Sequence, residues 1–217
     1  ITLPDPDVPS GRRLAELRDH RGRSVIVQGP ERVALTGRNG IGKTRLLEAL
    51  TRPDAPQGPD CSAQPHTDRI GYLPPRLDHL DDQATILDTL RRVAPSIPDG
   101  ELRAGLARFL FRGDVVDRPV GDLSGGERFR VALATLLLAD PPNQLLVLDE
   151  PTNNLDLHSV DELVAALSAY RGGLLVVSHD DAFLDRLGID TWIVMDEHGL
   201  HHRNEVPGRR RGARGGG

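Results

Sequence analysis

The chain has 217 residues, 38% of them hydrophobic and 27% charged, with a formal net charge of −5. That length supports one domain with a sizeable core, and that charge does not fit general nucleic-acid binding. Its one cysteine, Cys61, excludes an internal disulfide and fits a reducing, cytoplasmic compartment, and its longest apolar runs, over 131–139 and 145–148, are far too short to cross a bilayer.

Residues 1–23 read as irregular, with Pro4, Pro6 and Pro9 ahead of a strand over 24–27. A turn at Gly29-Pro30 leads into a strong strand over 32–36, then a glycine-rich loop and a helix over 43–50. Residues 53–65 read as a polar loop, and Cys61 within it as an incidental thiol with no ligand set nearby. A short strand over 69–73 is stopped by Pro74-Pro75. Helical apolar spacing follows over 84–93 and 101–111, with Pro95 and Pro98 between them. A mostly apolar helix over 127–139 ends at Asp140-Pro141-Pro142. The continuous apolar run over 145–148 is what a buried parallel strand requires. An amphipathic helix over 157–170 is expected to close at Gly172-Gly173, ahead of a buried strand over 174–177 and a short helix over 180–187. A hairpin over 191–195 and 200–203 turns at His198-Gly199, which puts His201 and His202 on opposite faces, both at the surface. The last stretch, Gly208-Arg209-Arg210-Arg211-Gly212-Ala213-Arg214-Gly215, is basic and reads as a disordered tail over 208–217. Strands alternating with helices predict an α/β fold whose mostly parallel sheet is covered on both faces.

Among the 27 basic residues only Lys43 is lysine. It sits in Gly37-Arg38-Asn39-Gly40-Ile41-Gly42-Lys43-Thr44, which fits G-x-x-x-x-G-K-[ST] after a strand and before a helix. Such a loop turns backbone N–H groups around phosphate oxygens, and the helix adds its positive end. A compact ammonium between phosphates is not replaceable by a planar guanidinium, which explains why this one lysine persists. Lys43 is therefore expected on the β- and γ-phosphates, and Thr44 on Mg2+. The strand over 145–148 ends in Asp149-Glu150, where Asp149 would hold Mg2+ through its water shell and Glu150 would polarise an attacking water. In Leu123-Ser124-Gly125-Gly126-Glu127, a capping box explains Ser124 and Glu127. It does not explain adjacent glycines at a helix start, which cost stability and expose backbone N–H groups to an anion.

Taken together, these motifs resemble the ATP-binding-cassette superfamily, with the loop Pro151-Thr152-Asn153-Asn154-Leu155-Asp156 and the histidine of Ser178-His179-Asp180 completing the set in order. The resemblance implies a P-loop NTPase: one nucleotide-binding domain over 1–207, a mostly parallel core, an antiparallel β part and a small helical lobe over about 76–135. It implies ATP binding by Gly37 through Thr44 and the neighbouring Arg45, and a γ-phosphate contact for His179. It also implies a head-to-tail pair, in which Leu123 through Glu127 meet the ATP held by a second such domain, with Asn154, Leu155 and Asp156 in the connecting loop.

Pro-Thr-Asn-X-Leu-Asp looks most like the ABC-F group, the translation-associated cassettes without membrane domains, although members usually carry His where Asn154 stands. Those proteins hold two cassettes, so a single one with a basic tail reads as the C-terminal half of a translation or antibiotic-resistance factor, with the ribosome or RNA as partner. The alternative is the ATP-binding subunit of a membrane transporter. Two departures stand out. Pro75 occupies the place of a loop glutamine that contacts magnesium, and residues 1–32 contain no Phe, Tyr or Trp to stack on adenine. The base is then left to arginine or aliphatic contacts. Chromosome-maintenance cassettes insert a long coiled coil, whereas about 80 residues without sustained heptads separate Thr44 from Ser124.

Overall fold

The computed structural model describes residues 3–52, 61–153 and 155–202. In chain order these form β1 (Arg12–Asp19), β2 (Ser24–Gly29), β3 (Arg32–Thr36), α1 (Lys43–Thr51), β4 (Cys61–Pro65), β5 (Ile70–Leu73), α2 (Ile86–Val93) and α3 (Asp99–Ala107). Two short 3-10 turns lead into α4 (Gly125–Leu137), β6 (Leu145–Asp149), α5 (Leu157–Ala169), β7 (Gly173–Val177), α6 (Asp181–Leu187), β8 (Thr191–Asp196) and β9 (Gly199–His202).

The apolar strands assemble into a six-stranded sheet in the order β5-β6-β7-β3-β8-β9, parallel throughout except for the antiparallel β8–β9 hairpin. Side chains alternate across a strand, so each continuous apolar run feeds two cores at once. Ala34, Leu146, Leu148, Leu174 and Val176 face the core built with α2 to α6. Val33, Leu35, Leu145, Val147, Leu175 and Val177 face the other core, where α1 packs under the second sheet. That second sheet is antiparallel, with β1 between β2 and β4. The fold class is therefore the expected one, a mostly parallel sheet with an antiparallel part and a helical segment inserted between β5 and β6.

Several expected elements are corrected. β1 and β4 lie where irregular chain was expected. β4, Cys61-Ser62-Ala63-Gln64-Pro65, has no β-branched residue; its pairing with β1 makes it a strand. The apolar spacing over 101–111 belongs only in part to a helix: α3 stops at Ala107, and Phe109 and Phe111 are buried from the turn that follows. Gly172 and Gly173 do not close α5 through a left-handed residue, since the cap is Tyr170 in extended conformation. They permit close packing instead: a Cβ on Gly172 would lie 2.1 Å from the Tyr170 hydroxyl. Arg203 and the tail over 208–217 lie outside the described residues.

Candidate functional site

Three loops leave the C-terminal ends of the neighbouring strands β3, β6 and β7, the place where open parallel sheets collect their ligands. The chain after β3 and after β6 lines a cleft of about 520 Å³, whose walls include Asn39, Lys43, Thr44, Asp149, Glu150 and Met195. The glycine-rich loop has a geometry that only its sequence allows. Gly37 has φ +150°, and a Cβ there would fall 2.2 Å from the Met195 carbonyl oxygen. Gly42 is left-handed at φ 107° and starts α1 without a side-chain cap, so the first backbone N–H groups of that helix receive no capping side chain. Ile41, Thr44 and Arg45 also line the cleft.

Lys43 is 7% exposed, and its Nζ donates to the carbonyl oxygens of Gly37 at 2.6 Å and Arg38 at 3.1 Å. Burial lowers its pKa, while the Glu150 and Asp149 carboxylates pull the other way. Asp149, at the end of β6, is 1% exposed. The Thr44 hydroxyl bonds its carboxylate, yet its Oδ2 has no hydrogen-bond partner. Burial pushes the Asp149 pKa up, and the Thr44 bond and Lys43 only partly oppose it. A buried carboxylate oxygen without a donor is costly unless a ligand completes it. Among the described residues no group of three or more His, Cys, Asp and Glu side chains could form a metal cage alone. Thr44 and Asp149 therefore fit an ion that takes its remaining oxygens from phosphate and water, which is how Mg2+ is usually held.

Glu150 adopts φ +49°, an uncommon conformation for a non-glycine residue, and its backbone N–H donates to the Val177 carbonyl oxygen at 2.8 Å. Its Oε1 lies 3.3 Å from Nε2 of His179, which is itself 3.4 Å from Lys43 Nζ. His179 thus stands between the cation and the acid. Burial pushes the Glu150 carboxyl above its ordinary pKa, against the attraction of His179 and Lys43.

Leu123, Ser124, Gly126 and Glu127 do not reach this cleft. Ser124 caps α4: its Oγ accepts the Glu127 N–H at 3.3 Å, and Glu127 Oε2 accepts the Ser124 N–H at 2.9 Å. A Cβ on Gly125 would meet nothing within 4 Å, so nothing in this chain demands glycine there. A second hollow, of about 260 Å³, runs between the two regions and includes Pro75, Arg76, Gly125, Glu150, Asn153 and Leu155. Pro75 brings no donor or acceptor to it. Asp156 caps α5 by accepting the Ser159 N–H at 2.7 Å, and the next residue, Leu157, is 85% exposed. Asn154 lies outside the described residues.

Two residues were not assigned to the site from sequence. A third hollow, of about 280 Å³, adjoins the glycine-rich loop and is lined by His20, Ile41, Cys61, Met195 and Glu197 among others. Its walls carry aliphatic, sulfur and imidazole groups together with the carboxylates of Asp196 and Glu197. His20 was not singled out and Cys61 was read as incidental, because β4, which carries Cys61, and β1, which ends just before His20, were not legible as strands.

A phosphate-type loop between a parallel strand and a helix, with a buried acid at the end of the adjoining strand, defines a P-loop nucleotide-binding domain. The chain belongs to the ATP-binding-cassette family: the family model described as ABC transporter matches residues 21–153. The ATP-binding protein YdiF of Bacillus subtilis is 43% identical over 164 residues, 76% of this chain and 25% of that protein. ATP-binding cassette sub-family F member 3 of Mus musculus is 34% identical over 171 residues, 78% of this chain and 24% of that protein. The chain thus spans about a quarter of the length of these curated relatives. Among solved structures, a complex of an archaeal ribosomal stalk protein with the archaeal ribosome recycling factor aABCE1 matches with a TM-score of 0.63 at 26% identity, over 87% of this chain and 37% of that one. Among the described residues no helix is long and apolar enough to cross a membrane.

Proposed function

We propose that this chain binds ATP with Mg2+ in the cleft and hydrolyses it as one half of a head-to-tail pair. The observation that carries this reading is the convergence of Lys43, the unpartnered Asp149 Oδ2 and the Glu150–His179 contact beside the glycine-rich loop. Backbone N–H groups from Gly37 to Thr44 and the start of α1 bind the phosphates, and Lys43 spans the β- and γ-phosphates. Arg38, Asn39, Ile41 and Arg45 complete the wall. Thr44 and Asp149 would hold Mg2+, which when bound offsets charge on the phosphate oxygens. Glu150 accepts the proton of the attacking water, and its raised pKa suits a base. His179 orients Glu150 and contacts the γ-phosphate. Leu123, Ser124, Gly125, Gly126 and Glu127 serve the nucleotide of the partner domain, with Asn154, Leu155 and Asp156 at the contact.

Mg2+–ATP at about 100 times Kd is expected to stabilise the fold by about 2.7 kcal/mol, seen as a higher Tm. Lys43→Ala is expected to abolish that rise. An undiminished rise in the variant would remove the assignment.

The finer role we infer is that of an ABC-F protein working on the ribosome. It is supported by the likeness to sub-family F member 3 and to the ribosome recycling factor. Pro75 adds to it, because a transporter subunit uses the loop glutamine region as a socket for its membrane partner. The protein carrying Glu150→Gln is expected to pellet with ribosomes in ATP at low salt and to be released as salt rises. Recovery in the membrane fraction, dependent on a membrane partner, would favour the transporter reading and leave the ATPase reading standing.

A further inference from the structure

The chain has two tyrosines, and their hydroxyls are treated differently by the fold. Tyr170 donates to the Asn143 carbonyl oxygen at 2.9 Å. The Tyr72 hydroxyl is buried without a hydrogen-bond partner among the described residues. A buried phenol normally finds a partner, and packing alone would be served as well by Phe. Its place in the sheet says what lies nearby. On β5, Tyr72 stands opposite Val147 of the parallel neighbour β6, and Asp149 follows two residues on. Residues two apart in a strand share a face, so Tyr72, Val147 and Asp149 all point to the side packed by α1. Burial raises the pKa of the phenol, the Asp149 carboxylate raises it further and Glu48 after that, while Arg52 opposes them. A donor without an acceptor thus stands beside Asp149, whose Oδ2 is an acceptor without a donor.

We propose that Tyr72 is a positioning residue for the Mg2+ carboxylate: with the ion bound, its hydroxyl donates to Asp149 and fixes the direction in which that side chain faces the ion. The inference deepens the ATP and Mg2+ reading given above and rests on it. An ionised carboxylate offers about four lone-pair sites, so the Thr44 hydroxyl and the ion leave room for a third partner. Carboxylates that hold a metal are themselves held by hydrogen bonds from the far side. The type of donor matters. A cation behind Asp149 would compete with Mg2+ for its charge, whereas a neutral phenol does not. The raised pKa keeps Tyr72 protonated, and therefore a donor, well above neutrality. Glu48 competes weakly for the same proton. It is partly exposed and takes hydrogen bonds from solvent, whereas Asp149 is 1% exposed.

The test is Tyr72→Phe in the otherwise unaltered chain, read as Tm and as turnover. Without nucleotide the variant is expected to melt no lower than the parent, because it loses a hydroxyl that bonds nothing in the fold. The rise in Tm with ATP in EDTA is expected to match that of the parent. When Mg2+ is then titrated in, the concentration at half of the further rise is expected to increase about 10- to 100-fold. The Mg2+ requirement for turnover should move with it, and kcat should recover at saturating Mg2+. An unchanged Mg2+ midpoint overturns the inference. So does a lower Tm without nucleotide, which would give the hydroxyl a partner within the fold. An equal loss of the rise in EDTA also overturns it, because the damage would then lie in the phosphate cradle. If Mg2+–ATP fails to raise the Tm of the parent, the ATP reading falls and takes this inference with it.

Discussion

Glu150 concentrates the site's chemistry in one residue. It combines a left-handed backbone, burial and two nitrogen-bearing neighbours, the His179 imidazole and the Lys43 ammonium. Burial dominates, so its pKa is raised, and the consequences run in opposite directions for activity and stability. As a base it must be ionised, so turnover is expected to fall on the acid side at a pH above the ordinary glutamate value of about 4.3. For stability, a raised folded pKa favours the protonated form. The contribution is present below the unfolded pKa and is lost as pH rises through the folded one. Near neutrality the ionised Glu150 therefore costs stability. Glu150→Gln removes that cost while keeping the shape. The variant is expected to lose about 100-fold or more in kcat, to bind ATP, and to melt no lower than the parent without nucleotide. Parent-level turnover would show that another group takes the proton. At this scale the structure brings together the P-loop and the Asp-Glu pair, which are read from their spacing, and His179, which is read from the family resemblance. The places of Cys61 and His20 were not legible, because nothing local to either residue says what lies across from it.

At the scale of elements, legibility follows burial on both faces. β3, β6 and β7 are apolar without interruption and were readable as buried strands. β1 was not, because Arg12, Arg13, Glu16, Arg18 and Asp19 break the pattern, although Leu14, Ala15, Glu16 and Leu17 are all buried. Its central place in the small sheet, between β2 and β4, comes from tertiary pairing. Asp19 explains how this sheet is held to the large one. Its carboxylate accepts the N–H groups of Arg21 at 2.9 Å, Arg23 at 2.9 Å and Leu200 at 3.1 Å, and pairs with the Arg23 guanidinium at 2.9 Å. The same guanidinium donates to the His198 carbonyl oxygen. Burial alone would raise the Asp19 pKa, but these donors, led by the Leu200 and Arg23 N–H groups, bring it down to about 2. The β1–β2 turn is thereby tied to the β8–β9 hairpin, which fixes His20 over the hollow beside Ile41. A charged residue that looked like an interruption of a strand pattern is thus the anchor between two sheets.

For the whole molecule, the question is what the residues from Leu123 to Glu127 are for. They lie apart from the phosphate cradle, Gly125 faces open space, and Leu157 stands 85% exposed beside the Asp156 cap. Within one chain the capping box accounts for Ser124 and Glu127, but not for the glycine at 125 or the exposed Leu157. In the head-to-tail pair proposed above, each cradle would be completed by the other domain's α4 start, and every active site would need one intact half from each domain. Gly125→Asp separates pairing from folding. A Cβ there meets nothing within 4 Å, and an acid in the first turn of a helix is favourable by about 0.3–1 kcal/mol. The variant is therefore expected to melt no lower than the parent and to keep its ATP-induced rise in Tm. Its turnover is expected to drop at least about tenfold, since the carboxylate would face the partner's γ-phosphate. Lys43→Ala fails for the opposite reason, having a damaged cradle but an intact α4 start. Mixing the two inactive variants is expected to restore turnover, because a mixed pair contains one composite site with Lys43 from one copy and Gly125 from the other. The recovered rate should rise with total protein concentration, as it does for any site assembled from two chains. If the mixture is as inactive as its components while both variants remain folded, the site is not shared between two copies of this chain.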